Sequence, residues 1–116
     1  MKKGIIGIFK CAEKGDEWCS VSVRSSESSE KLKSAMQSEH PNLKLELAKL
    51  FGFECNCEIV DVEKKLRELL VLAFGAYVPP YKEWECYKVN SNEIESFISD
   101  VLSISKAISD FKELSV

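Results

Sequence analysis

Few side chains in this sequence can act as nucleophile, base or metal ligand. Histidine occurs once, at His40, and cysteine five times, at Cys11, Cys19, Cys55, Cys57 and Cys86. A Cys-His or Ser-His nucleophilic pair needs an imidazole within hydrogen-bond reach of the attacking atom, so any such pair must use His40. His40 precedes Pro41 in a stretch that breaks helices, where a capping or surface role is expected. The cysteines form an odd set without a CxxC pair, which matches neither a disulfide framework nor a zinc ribbon. Reduced, partly buried thiols are the expected state, with no metal and no cofactor. Cys11 and Cys19 lie symmetrically about Gly15, so a hairpin turning there sets them opposite each other, and Cys55 and Cys57 share one face of an extended segment.

Two further groups bear on binding. Arg24, Lys31 and Lys33 form a small cationic set suited to phosphate, weighed against an ordinary solvated helix face. Tyr81, Trp84 and Tyr87 flank the rigid Pro79-Pro80 pair, a composition that suits either a contact surface or a lid folded on the core. The serines between residues 25 and 29 read as loop.

These groups must be held by one domain. The chain has 116 residues, 45% hydrophobic and 30% charged, which allows a single core and a globular fold over residues 1–116. A formal net charge of −3 means that any nucleic acid contact has to come from a local patch. The start, Met1-Lys2-Lys3, resembles a signal peptide, but the apolar run stops at Lys10 and no small-residue cleavage site follows. No apolar stretch approaches the roughly 20 residues that span a bilayer, so no membrane is expected and the cytoplasm is the expected location.

Periodicity supplies the elements. Residues 4–12 and 18–23 read as two strands joined by a turn around Gly15, with Cys19, Val21 and Val23 on one face and Trp18, Ser20 and Ser22 on the other. Ser28 or Ser29 caps a short helix whose apolar side is Leu32, Ala35 and Met36. A second short helix is expected from Asn42, presenting Leu43, Leu47, Leu50 and Phe51 inward and stopping at Gly52. Residues 53–60 then alternate as a third strand. Asp61 opens a helix reaching Ala73 or Phe74, apolar all round in its second half and so expected at the centre. Residues 85–89 suggest a short edge strand. Asn92 to Glu95 reads as a capping box, opening a final helix that carries Ile94, Phe97, Ile98, Val101, Leu102, Ile108 and Phe111 on one stripe. That stripe either packs on the sheet or supports a homodimer.

The order of these pieces, and four local stretches, resemble the GIY-YIG nuclease domain. Gly7-Ile8-Phe9-Lys10 is similar to the family's opening strand, and Val21-Ser22-Val23-Arg24-Ser25-Ser26 to its second. His40-Pro41-Asn42-Leu43-Lys44-Leu45 resembles a family connector, and residues 53–60 resemble its third strand. The likeness spans residues 4–77, leaving 78–116 as a C-terminal extension. It implies an α+β fold with a three-stranded antiparallel sheet flanked by helices. In that family two tyrosines and a helix arginine act around the scissile phosphate while a glutamate holds a divalent metal. Here the tyrosine positions fall on Phe9 and Ser22, the glycine after the second on Arg24, the arginine on Leu32 and the glutamate on Leu70. Leucine offers a metal no electron pair.

The resemblance therefore implies a degenerate scaffold without a catalytic set, binding a protein partner or nucleic acid with Arg24, Lys31, Lys33, Tyr81, Trp84 and Tyr87 as binding candidates. Two alternatives stay open: a divergent metal-dependent nuclease using Tyr81 or Tyr87, Lys31, Lys33 and Glu68, or an unrelated small α+β structural or regulatory protein.

Overall fold

A computed structural model describes residues 1–11, 18–25, 29–39, 45–77 and 86–115. Strand β1 (Lys2–Cys11) lies at the middle of the architecture. Its Ile5, Ile6, Ile8 and Phe9 are all buried, because the strand is covered on both faces and an apolar run suits such a position. It pairs antiparallel with β2 (Trp18–Ser25) on one side and with β3 (Leu45–Cys55) on the other. The sheet then extends outward through β5 (Cys86–Lys88) and β4 (Ala76–Tyr77) beyond β2, and through β6 (Ile108–Leu114) beyond β3. The order is β4-β5-β2-β1-β3-β6, every pair antiparallel. The expected α+β class holds, with a six-stranded sheet among the described residues where a three-stranded one was expected.

Helices cover the two faces unequally. On one face Ile6, Ile8, Cys19, Val23, Phe51 and Phe53 meet α2 (Ile59–Phe74) and α3 (Ser91–Ile104) through Val62, Leu66, Leu70, Ile94, Ile98 and Leu102. On the other, Ile5, Phe9, Leu47 and Leu50 receive Leu32 of α1 (Ser29–Glu39). Two glycines of β1 make room for this packing. A Cβ on Gly7 would lie 2.7 Å from Cδ2 of Leu32, and one on Gly4 would run into the Phe53 ring.

The N-terminal hairpin and the faces of β2 follow the expected alternation. Elsewhere the structure corrects the expectations. The segment expected as a helix from Asn42 to Phe51 belongs to β3 from Leu45 onward, and the strand expected over 53–60 ends at Cys55. The register explains the misreading: Ile8 faces Lys49 and Phe9 faces Leu47, so Ala48 is an extra residue. A bulge of this kind turns alternate spacing into a local step of three, and Leu47, Leu50 and Phe51 then imitate a helical stripe. Gly52 is a mid-strand residue crossed by Leu114, not a helix cap.

The final helix differs in the same way. It ends at Ile104, and the chain turns back as β6 to pair with β3. A second register shift falls between Gly52 and Glu54, with Asp110 at φ 53, a left-handed backbone that Asp tolerates better than most residues. Ile108 and Phe111 owe their helical spacing to it, and Phe111 stacks on Phe51 with ring centroids 5.1 Å apart. The capping residue of α3 is Asn90 rather than Asn92: its Oδ1 accepts from the Glu93 amide at 2.9 Å, and its Nδ2 donates to the Glu93 carboxylate at 3.0 Å. β5 is an inner strand, between β2 and β4. The C-terminal half of α2 is not enclosed, since Leu72 is 83% exposed.

The tight seat at Gly4 yields a test. Gly4→Ala should lower unfolding stability by about 1–3 kcal/mol through overpacking against Phe53, measured by urea denaturation. In the Gly4→Ala, Phe53→Leu double variant the two losses should sum to less than their separate values, because the smaller side chain vacates the contested space.

Candidate functional site

The positions that the family likeness singles out can be followed one by one. Phe9, Ser22 and Leu32 come together on the α1 face: Gly7 lies opposite Ser22 in the hairpin, Phe9 is two residues along on the same face, and Leu32 packs with Phe9. Leu70 does not join them. It belongs to the apolar cluster that includes Ile6 and Ile8, on the other side of the sheet. Phe9, Ser22, Leu32 and Leu70 are 1%, 5%, 0% and 1% exposed, so none of them faces a substrate. Among the described residues Ser22 Oγ has no hydrogen-bond partner, a cost left at the point where the likeness places a tyrosine hydroxyl.

The binding candidates separate as well. Arg24 reaches Glu63 of α2 at 3.9 Å, so its charge is partly answered within the fold. Lys31 is exposed on α1, and Lys33 lines an open hollow of about 580 Å³ with Phe9, Ser34, Gln37, Glu46 and Leu47. The hollow holds one ammonium and one carboxylate above an apolar floor, which suits binding a polar group and supplies no matched acid and base pair. Tyr87 is buried in the core on the α2 and α3 face, which removes it from the contact-surface candidates. His40, Tyr81 and Trp84 lie outside the described residues. Glu68 projects from α2 with its side chain 69% exposed and is 3.9 Å from Lys65. Lys33 lies on the α1 face, Tyr87 in the opposite core and Glu68 in solvent, so these three members of the relocated nuclease set are apart, while Tyr81 lies outside the described residues.

Of the two cysteine pairings weighed, one is absent and the other is present only as a local contact. Lys10, not Cys11, lies opposite Cys19, so the hairpin does not set those two thiols face to face. Cys19, Cys55 and Cys57 are in the reduced thiol form, in no disulfide. Cys55 Sγ donates to the Cys57 carbonyl at 3.2 Å. Burial, and then the neighbouring Cys55, push the Cys57 thiol above its ordinary value, which makes it a poor nucleophile at neutral pH. Among the described residues no group of three His, Cys, Asp or Glu side chains is placed to hold a metal ion. No helix among them is long and apolar enough to cross a membrane.

Charge on the α3 side is organised around Lys49. Its ammonium lies 3.5 Å from both Glu95 and Glu113, and the pair of carboxylates raises its pKa. One feature escaped the sequence reading: an apolar groove of about 350 Å³ between α2 and α3, with Leu66, Leu69, Val101, Leu102 and Ile108 in its walls. Only Leu69 of the apolar C-terminal end of α2 reaches it, so the sequence pattern carries no direct signal for the groove.

The chain matches no family model, no curated protein and no solved structure. The GIY-YIG likeness rests on the residues quoted for it.

Two measurements follow from this geometry. Ser22→Ala should raise stability by about 1 kcal/mol, because it removes a buried hydroxyl without a protein partner; a lower urea midpoint would contradict that account. Cys57 alkylation followed by peptide mass spectrometry should reach its half-maximal rate at a higher pH than a free cysteine reference, since the thiolate is the reacting form.

Proposed function

We propose that the chain is a non-catalytic interaction module on a degenerate GIY-YIG scaffold, engaging a protein partner or a nucleic acid without cutting it. One observation carries the reading. Where the likeness calls for two phenols, a guanidinium and a metal-binding carboxylate, the chain has Phe9, Ser22, Leu32 and Leu70, all buried. Hydrocarbon at those points can neither activate water nor neutralise a pentacoordinate phosphate. The antiparallel order β2-β1-β3 at the centre of the sheet supports the scaffold, although β3 overlaps the stretch likened to the third strand only from Phe53 to Cys55. The exposed Lys31 and the half-buried Lys33 remain the binding candidates for phosphate on the α1 face. The reduced Cys55 and Cys57 thiols fit a reducing cytoplasmic setting.

The test is a cleavage assay on the purified full chain, with labelled linear and branched DNA and RNA and added Mg²⁺ or Mn²⁺. The substrates should stay intact. Metal-dependent cutting that disappears in Glu68→Ala would end this reading in favour of a relocated active site.

A further inference from the structure

We propose that Cys55 and Cys57 are a modification site, a dithiol that a small disulfide arriving beside Cys57 oxidises reversibly to a disulfide between these two residues. The inference does not depend on the reading above. Cys55 ends β3 and is fully buried, while Cys57 is half-buried and lines the groove between α2 and α3. One thiol is sheltered and the other is within reach of a solute, which suits a resolving and an attacking cysteine in turn.

The backbone permits the closure. Consecutive Cα atoms stand about 3.8 Å apart, so two cysteines with one residue between them are separated by less than about 7.6 Å in any conformation. A regular strand sets them about 6.7 Å apart, at the far edge of the range that disulfides span. The chain is not a regular strand here, because it bends at Asn56 and Cys57 between the end of β3 and the start of α2, and a bend shortens the span. The Cys55 side chain also points toward its partner. Its Sγ donates to the Cys57 carbonyl at 3.2 Å, and that oxygen is two bonds from the Cys57 Cα, which places the sulfur within about 6 Å of that carbon. Closing the bond then asks mainly for a swing of the Cys57 side chain, the less enclosed of the two.

The bend is held from both sides. The Asn56 amide donates to the Ala107 carbonyl at 3.2 Å, and Cys55 pairs with Ile108 of β6. On the other side the Glu58 carbonyl accepts from the amides of Asp61 at 3.1 Å and Val62 at 3.3 Å, opening α2. Cys19 does not compete for either thiol. It lies opposite Lys10 of β1 while Cys55 lies opposite Lys2, a separation of about 26 Å along the strand.

The exchange balances in two steps. The Cys57 thiolate attacks one sulfur of the small disulfide, whose S–S bond breaks; one half leaves and takes up the proton that Cys57 released, and the other half stays on Cys57 as a mixed disulfide. Cys55 then gives up its proton and attacks Cys57 Sγ, and the second half leaves as a thiol. Two protein thiols are oxidised and one small disulfide is reduced to two thiols. The raised Cys57 thiol slows the first step at neutral pH and directs the second, since the small thiolate is the better leaving group. With a single residue inside the ring, the bond restrains the unfolded chain little, so it is a reversible modification and not a staple.

The experiment incubates the folded full chain with oxidised glutathione at mildly alkaline pH, alkylates the remaining thiols and measures the tryptic peptides by mass spectrometry. Cleavage after Lys49 and Lys64 leaves both cysteines in one peptide. In the wild type this peptide should be lighter than its reduced form by two hydrogens and carry no alkyl group, and dithiothreitol should restore both alkylation sites. Cys55→Ser should stop at glutathione on Cys57, and Cys55→Ala, which buries no hydroxyl, should do the same if the serine disturbs folding. Cys57→Ser should leave Cys55 at least roughly tenfold slower to react than Cys57 is in Cys55→Ser, because Cys55 is enclosed. A wild-type peptide that stays reduced, that stops at the mixed disulfide, or that is joined to another cysteine overturns the proposal. So does a Cys55 that reacts in folded Cys57→Ser as fast as Cys57 does in folded Cys55→Ser or Cys55→Ala.

Discussion

Burial of β1 on both faces is the constraint on which the rest of the structure depends. A strand with water on one side needs apolar residues only at alternate positions, whereas Ile5, Ile6, Ile8 and Phe9 leave no polar side to expose. The chain must therefore supply two covers. α2 and α3 form one, and α1 with the flanking face of β3 forms the other. Neither cover fits without the two glycines that thin the strand beneath Phe53 and Leu32. β2 and β3 then close the strand's hydrogen bonds on both sides.

Much of this was legible from residue types. The hairpin, the alternation of β2, the position of α2 and the burial of Leu32 follow from periodicity and turn chemistry. What was not legible has a common cause in two bulges. Ala48 in β3 and Asp110 in β6 each add a residue to a strand, and each shifts the apolar spacing from two to three. Leu47, Leu50 and Phe51, and likewise Ile108 and Phe111, then read as helical faces. Only the pairing partner reveals them as strands, and pairing between distant segments leaves no local trace. The overestimated burial of α2 has a different source, because an apolar helix end signals either a deep core or a surface meant to be covered, and composition cannot separate these.

The candidate site was legible in its chemistry and not in its geometry. That Phe9, Leu32 and Leu70 cannot serve phosphate or metal follows from their side chains alone. Their division between the two sides of the sheet does not, since it depends on which helix covers which face. Ser22 shows the limit well: a serine at an alternating position reads as solvent-facing polar, yet α1 and the hairpin enclose it.

The rims of the sheet bear on how this molecule can assemble. One outermost strand, β4, spans only Ala76 and Tyr77, too short to template a neighbour. The other, β6, is interrupted by the left-handed Asp110 and carries Lys112 and Glu113. Among the described residues, neither margin thus offers a long, regular and uncharged strand for lateral recruitment of further chains.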